Sequence, residues 1–374
     1  MDAICLGCAG QVRPRMGRAC DIRQDSLHVW CLPARSSIRS VISSRWDCFR
    51  GRARWYSKSL ATYLITGAGG FIGSHLAHAL VGRGEQVRGL DNFETGLRSN
   101  LEGILDRIDL REVDLRDADG VREACEGVDF VLHQGALPSV PRSVQEPRPS
   151  HETNIDGTFN LLEGARLAGV KRVVYAASSS AYGNQPGFPR VETMVPQPIS
   201  PYAVQKLNGE LYMQSYWRVY GLETVCLRYF NIFGPKQAAE SFYSGVMARF
   251  ILQMLRGEQP VIFGDGEQSR DFTYIDNVVT ANLLSLQADT TLVAGRVFNI
   301  ACGERHTLNE TYDILATLLD FVHPSKHGQD RDGDVRDSLA DISAAREALG
   351  YTPQVGFEEG LRRTVAWYRD EFAS

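Results

Sequence analysis

Residues Ala61–Leu76 read ATYLITGAGGFIGSHL, and the fold follows from how this stretch is parsed. A short apolar run, Ala61 to Thr66, stops at a glycine-rich turn, after which apolar residues recur at helical spacing through Leu80 and Val81. The order is strand, tight turn, helix. Gly67, Gly70 and Gly73 each have a job in that turn: the first permits the sharp bend, the second lets a diphosphate approach the backbone, and the third lets the helix pack on the strand. Phe71 and Ile72 sit between the last two glycines and are expected beside the same ligand. A glycine triplet alone says little, but its position between a strand and a helix is the one a dinucleotide site requires.

Moving outward, the second strand, Gln86 to Leu90, ends in Asp91, eighteen residues after Gly73. A carboxylate there accepts hydrogen bonds from ribose hydroxyls and repels a 2′-phosphate, which favours NAD over NADP, and the neighbouring Asn92 adds no positive charge. A third strand, Asp109 to Val113, ends at Asp114-Leu115, and a fourth, Val128 to His133, ends at Gln134-Gly135-Ala136. Repeated strand–loop–helix units with polar residues at the strand ends predict an α/β, doubly wound parallel sheet of the Rossmann type, with ligand along its carboxyl edge.

The pattern continues through an amphipathic helix at 154–169 (Ile155, Phe159, Leu162) to a strand, Lys171 to Ala177, that delivers Ser178-Ser179-Ser180-Ala181-Tyr182. A helix over Tyr202 to Tyr220 then carries Tyr202 and Lys206 one turn apart on one face. A phenol titrates near ~10, and lowering that by roughly 3 units, about 4 kcal/mol, would make a base at neutral pH. A nearby ammonium and a serine hydroxyl are groups that can do this. The bland alternative is an exposed helical pair.

Beyond Phe230 the alternation becomes irregular, with loops at Gly234-Pro235, Gly264-Asp265-Gly266 and Gly333-Asp334. The chain therefore divides into a basic extension at 1–58, an NAD-binding domain at 59–235 to which the chain returns around 272–300, and a smaller lobe for substrate at 236–271 and 301–374. Arg270 and Arg331 lie in loops of that lobe, and arginine is the favoured clamp for diphosphate oxygens.

The extension holds eleven Lys and Arg against four Asp, a net of +7, whereas the rest of the chain, 29 basic against 41 acidic, is −12. It also holds five of the eight cysteines, yet Cys5 and Cys8 have no second ligand pair after them, so no metal site is expected. An Arg- and Ser-rich, acid-poor segment of this kind fits an organelle transit peptide or an arm outside the fold. Cys125, Cys226 and Cys302 stand in apolar surroundings and read as reduced core residues, which suits a cytoplasmic enzyme. The longest apolar runs are far too short to span a membrane, and nothing in the body resembles a nucleic-acid-binding surface.

Taken together, Gly67 to Gly73, the Ser178 stretch, Tyr202 to Lys206, Arg228-Tyr229-Phe230-Asn231-Ile232-Phe233-Gly234-Pro235 and Gly264 to Tyr274 resemble the extended short-chain dehydrogenase/reductases acting on nucleotide sugars. From about 61 to 370 the chain is most similar to the 4-epimerases of UDP-hexoses, in particular those accepting UDP-N-acetylglucosamine. The resemblance implies that Tyr202 takes the sugar 4-hydroxyl proton, that Lys206 is its electrostatic partner and ribose ligand, and that Ser178 shares the proton, Ser179 and Ser180 being inseparable from it by sequence. Asp91 and Asp114 would hold adenosine, with Asn92, Leu115, Gln134, Ala136 and Tyr229 also at the cofactor. Asn231, Arg270 and Arg331 would hold the UDP diphosphate, with Phe263 near the uracil and Val246 beside it. Ser139, Arg142, Ser143, Ser179 and Ser338 would line the sugar pocket.

The implied reaction is hydride transfer from sugar C4 to a tightly kept NAD, rotation of the 4-keto sugar, and hydride return to its other face. Binding energy then has to sit on UDP so that the pyranose can turn. Similar 4,6-dehydratases carry Asp-Glu, and UDP-glucuronate decarboxylases a Glu, where this chain has Ser179-Ser180. Serine has no acid–base pKa near 7, so epimerisation is what remains. Ser338 stands where a large aromatic would exclude a 2-acetamido group. UDP-glucuronate decarboxylation, UDP-glucuronate 4-epimerisation and non-catalytic NAD sensing are the competing readings. The resemblance also implies a homodimer through helices 154–169 and 201–220.

Overall fold

The structure is a computed structural model and describes residues 60–238, 245–329 and 336–373. The basic extension with Cys5 and Cys8, and the expected ligand Arg331, lie outside the described residues. The body, 57–374, clusters as one compact unit.

Seven strands form its centre: β1 (Thr62–Thr66), β2 (Gln86–Asp91), β3 (Asp109–Glu112), β4 (Phe130–His133), β5 (Arg172–Ser178), β6 (Glu223–Tyr229) and β7 (Arg296–Ile300). Their spatial order is β3-β2-β1-β4-β5-β6-β7, and every neighbouring pair is parallel. The order reverses between β1 and β4, which opens a crevice outside the carboxyl ends of the strands. This is the doubly wound α/β sheet that the glycine turn predicts. β7, which comes from the segment after the small lobe begins, closes the far edge against β6.

The strands alternate between two cores. In β5, Val173, Tyr175 and Ala177 pack with Val121, Leu161, Leu162 and Met213, while Val174 and Ala176 pack with Leu76, Leu80, Val278 and Ala281. Successive strand residues point to opposite faces, so a near-continuous apolar run is what a sheet covered on both sides demands. Helices α1 (Phe71–Gly82), α2 (Ala118–Cys125), α3 (Gly157–Ala168) and α4 (Pro201–Tyr220) provide those covers, joined later by α5 (Val246–Leu255), α6 (Ile275–Gln287), α7 (Leu308–Leu319) and α8 (Phe357–Ala373). Helix α4 starts where its sequence says it should: Ser200 accepts from Ala203 N, Pro201 takes the first turn, and Gly221 at φ +71° ends it. Helix α3 is shorter than the 154–169 expectation because residues Glu152–Asp156 form a π turn.

Outside the sheet the chain makes short pairs. Ile232–Phe233 runs parallel to Thr273–Tyr274, Ser269–Arg270 antiparallel to His306–Thr307, and Val261–Phe263 parallel to Lys326–Gly328. Among the described residues no helix is long and apolar enough to cross a membrane.

Candidate active site

A cleft of about 1070 Å³ runs along the carboxyl edge of the sheet, from the Gly67 turn past Ser178 and Tyr202 to Arg270 and Ser338. At one end, Gly67 takes φ +67°, and a Cβ there would lie 2.8 Å from the Gly135 backbone. A Cβ on Gly73 would come within 2.0 Å of Gly67 O, so no side chain fits at the α1–β1 contact. Gly70 caps α1 without any side-chain bond, which leaves the first amides of the helix turned to the cleft, where Phe71 and Ile72 also lie. These open amides and the positive end of the helix dipole suit a diphosphate.

Asp91 closes the next strand. Its carboxylate accepts from Gly69 N at 2.8 Å and Phe93 N at 2.7 Å, so it braces the glycine turn as well as facing the cleft. Burial raises its pKa, opposed by those two N–H groups. Asn92 donates to Asp114 Oδ2 at 2.7 Å, and the Arg116 guanidinium holds Asp114 well below the usual carboxylate range. Leu115, Gln134 and Ala136 line the same wall. The Tyr229 hydroxyl donates to Gln134 Oε1 at 3.3 Å and accepts from Asn282 Nδ2 at 2.8 Å, which fixes the floor below. Open helix amides, a ribose-ready carboxylate and a cradle that admits only glycine fit a dinucleotide.

Parallel pairing of Ser178 with Tyr229 places the end of β5 at mid-cleft. Of the three serines, Ser178 is the one whose hydroxyl acts on the Tyr202 phenol, pulling its pKa down. Ser178 Oγ accepts from Ser180 Oγ at 2.9 Å and from Ser180 N at 3.2 Å, and all three serines line the cleft with Tyr202. Ser179 faces the cleft beside them. Lys206, 4% exposed, donates to Ala176 O at 2.9 Å and lies 4.9 Å from the centre of the Tyr175 ring. Burial lowers its pKa to about 8, and Glu210 one turn below opposes that. Glu210 is itself locked to Arg228 by two bonds of 2.7 and 2.8 Å.

Tyr202 departs from the expectation drawn from sequence. In the chain by itself, burial pushes the phenol up to about 12, and the Ser178 hydroxyl offsets only part of it. Desolvation wins because the cation on the same helix face bonds a strand carbonyl rather than the phenol.

At the other end, Asn231 holds a left-handed backbone, φ +34°, a region asparagine enters more readily than most residues with a side chain. Its Nδ2 donates to Asp271 O and to Ser338 Oγ, both at 3.0 Å, so its two amide protons are committed within the protein. Arg270 Nη1 donates to Ser269 O and Arg336 O. Val246, Phe263, Asn231 and Arg270 surround a side pocket of about 260 Å³ continuous with the cleft through Asn231, Gly245 and Arg270.

Three residues expected at the sugar make bonds within the protein. Ser143 is fully buried and outside the cleft lining: its hydroxyl donates to Val140 O at 2.7 Å and accepts from Tyr202 N at 3.1 Å, tying the start of α4 in place. Arg142 lines the cleft but is paired with Glu94 at 2.5 Å and Glu146 at 3.1 Å. Ser139 caps the short helix Val140–Gln145 by accepting from Arg142 N. The spacing of 139–143 marks a loop near the site without saying which hydroxyl faces ligand and which faces protein.

Residues 63–301 match the NAD dependent epimerase/dehydratase family. This chain belongs to that family. A UDP-glucose 4-epimerase of Mycolicibacterium smegmatis is 36% identical over 312 residues, 82% of this chain and 98% of the relative. Among solved structures, a UDP-N-acetylglucosamine 4-epimerase from Methanobrevibacter ruminantium M1, in complex with UDP-N-acetylmuramic acid, superposes with a TM-score of 0.80 at 39% identity, covering 83% of this chain and 99% of that one. A UDP-glucose 4-epimerase of Thermotoga maritima with UDP-glucose gives 0.79 at 37% identity, with the same two coverages.

NAD is the cofactor of this epimerase/dehydratase family member, and the residues that fit it are the Gly67–Gly73 cradle, Asp91 and the walls around Leu115 and Ala136. The sequence reading passed over Asp271, although it adjoins Arg270. It is fully buried, accepts from Cys302 N, Gly303 N and Ala340 N, and burial pushes its pKa up to about 7. Asn154 was also missed: from the π turn it bonds both backbone groups of Leu137 and Gln205 Oε1, binding the cofactor wall to α4. A fold-buried acid or amide carries no periodic signal in sequence, so only the tertiary contacts single these two out.

Proposed function

We propose that this protein interconverts the C4 epimers of a UDP-hexose, UDP-GlcNAc and UDP-GalNAc foremost, with UDP-Glc and UDP-Gal as further substrates. The observation that carries this reading is that Tyr202, Lys206 and the hydrogen-bonded Ser178–Ser180 pair line one cleft with a dinucleotide cradle. NAD, when bound, supplies the hydride acceptor and donor and a positive ring that favours the phenolate. Tyr202 would take and return the sugar hydroxyl proton, Ser178 would share it, and Lys206 would supply positive charge and a donor for ribose. Asp114 would hold the adenosine end with Asp91.

The absence of an acid next to Ser178 argues against elimination or decarboxylation. Among the described residues the carboxylates along the cleft are Asp91, Glu94, Asp114, Glu146 and Asp337. Glu94 and Glu146 are paired with Arg142, Asp114 with Arg116, and Asp337 accepts from Ser269. The small Ser338 on the cleft wall would leave room for a 2-acetamido group. Arg270 and Asn231 are assigned to the diphosphate and Phe263 and Val246 to the base. Asn231 would donate to the diphosphate only by releasing one of the two bonds its Nδ2 makes within the protein.

Assembly belongs to the same proposal. Val204, Leu211, Val219 and Tyr220 on α4, with Phe159 and Leu167 on α3, are 42–65% exposed, an apolar surface suited to a second copy of the chain. Separate incubations with UDP-Glc, UDP-GlcNAc and UDP-GlcA, with product identification, test the activity. A C4 epimer from UDP-GlcNAc supports it, and CO2 release or turnover of UDP-GlcA alone contradicts it.

A further inference from the structure

Arg190, on the loop between β5 and α4, is 3% exposed and lines the main cleft together with Tyr182 and Gly183. A cation so far out of bulk water is normally paired with an acid. Arg190 is not. Among the described residues its guanidinium makes one hydrogen bond, Nη1 donating to Gly187 O at 3.1 Å, and it lies 4.4 Å from the centre of the Phe188 ring. The acids of the same region are engaged elsewhere: Asp337 accepts from Ser269 N and Oγ, Asp341 from Ser343 N, and Glu192 from Asn299 N. Burial lowers the Arg190 pKa, and what opposes this is the Tyr182 phenol rather than a carboxylate. Arg142, on the same cleft, is the contrast, because Glu94 and Glu146 hold its guanidinium.

The backbone holds this cation in place. Arg190 N donates to Leu339 O at 2.7 Å, and Arg190 O accepts from Asp341 N and Asn299 Nδ2, each at 2.9 Å. The opposite side of the same segment pairs with Ser269, which donates to Arg336 O and accepts from Ser338 N. Residues 336–341 therefore run between Arg190 and Arg270 and keep the two arginines apart. Arg270 is the one assigned to the diphosphate, so Arg190 has a different group to meet. A guanidinium carries five N–H donors in a planar fork, and one bond to Gly187 leaves most of that fork uncommitted. Burying an unpaired cation is costly, and an anion brought by a ligand removes that cost.

We propose that Arg190 is a subsite for a carboxylate carried by the pyranose of a UDP-sugar, so that the cleft takes acidic UDP-sugars as well as neutral ones. The proposal rests on the UDP-sugar reading and widens its substrate class. A carboxylate offers two oxygens to the fork and matches its charge, whereas a hydroxyl or an acetamido group leaves the charge unmatched. Arg190 is a binding residue here, and the Tyr202 and Lys206 shifts have other causes.

The test is calorimetric titration of UDP, UDP-Glc and UDP-GlcA into the NAD-loaded wild type, Arg190→Gln and Arg190→Lys. The wild type is expected to bind UDP-GlcA at least about tenfold more tightly than UDP-Glc. Arg190→Gln should lose roughly ten- to hundredfold for UDP-GlcA while UDP and UDP-Glc change by less than about twofold, and Arg190→Lys, which keeps the charge but not the fork, should fall in between. Wild type that binds UDP-GlcA no more tightly than UDP-Glc overturns the subsite without recourse to any variant. An equal loss for all three ligands in Arg190→Gln also overturns it, by reducing the arginine to a brace of its own loop. A wild type that binds none of the three overturns the UDP-sugar reading as well, and the UDP arm tells that failure apart.

Discussion

At the scale of single residues, the catalytic assignment makes separable claims. Replacing Tyr202 with Phe removes one oxygen and leaves the ring, so turnover should fall by about 10²–10⁴-fold while bound NAD and the folded structure persist. Retained turnover in a variant with normal NAD content would remove Tyr202 from its role. Lys206 sets a pH dependence. Its pKa is lowered by burial to about 8, so the ammonium is present below that pH and lost above it. Activity of the wild type should therefore decline as pH rises through about 8, whereas Lys206→Met should be slow throughout and lack that limb. Stability has the opposite sign for this group: between pH 8 and 10.5 the unfolded chain holds the proton that the folded chain has released, so Lys206 makes the fold more stable with rising pH there. The pairing of Tyr202 and Lys206 was legible from their spacing on one helix. Their electrostatics were not, because desolvation depends on what Tyr175 and the end of β5 lay over them.

Elements decide whether those residues arrive. Helix α4 lies close on β5 because residue 209 is a glycine: a Cβ there would come within 2.2 Å of the Tyr175 hydroxyl. Gly209→Ala should push the helix off the strand, costing about 1–3 kcal/mol in thermal unfolding and reducing turnover as Tyr202 and Lys206 move together. Full activity with unchanged melting would show that the contact is slack. The strand–glycine–helix order at 61–76 was readable because three glycines and two hydrophobic periods agree. The π turn at 152–156 was not, since it differs from an α-helix only by one residue in its bonding. The two-residue strands at 232–233, 269–270 and 306–307 are too short to show any period at all.

For the whole molecule, alternating strand and helix patterns foretold the parallel sheet, in which Arg296–Ile300 forms the edge strand. The lobe outside the sheet was readable only as irregularity, because it is held by isolated contacts such as Asp271 with Cys302, Gly303 and Ala340. The exposed apolar residues of α3 and α4, on the sheet's outer cover, lead to a prediction about assembly. Leu211, 58% exposed on α4, would be buried in a dimer, so Leu211→Glu should convert a dimer to a monomer in light scattering at micromolar concentration. A wild type that is already monomeric would refute the interface. The central claim is that hydride leaves C4 and returns to it within one site. UDP-GlcNAc and UDP-Glc deuterated at C4, incubated in ordinary water with no added cofactor, test this most directly. The account expects C4-epimerised products that keep the deuterium at C4. Products with the label washed out into water, or no epimer from either sugar, would contradict it.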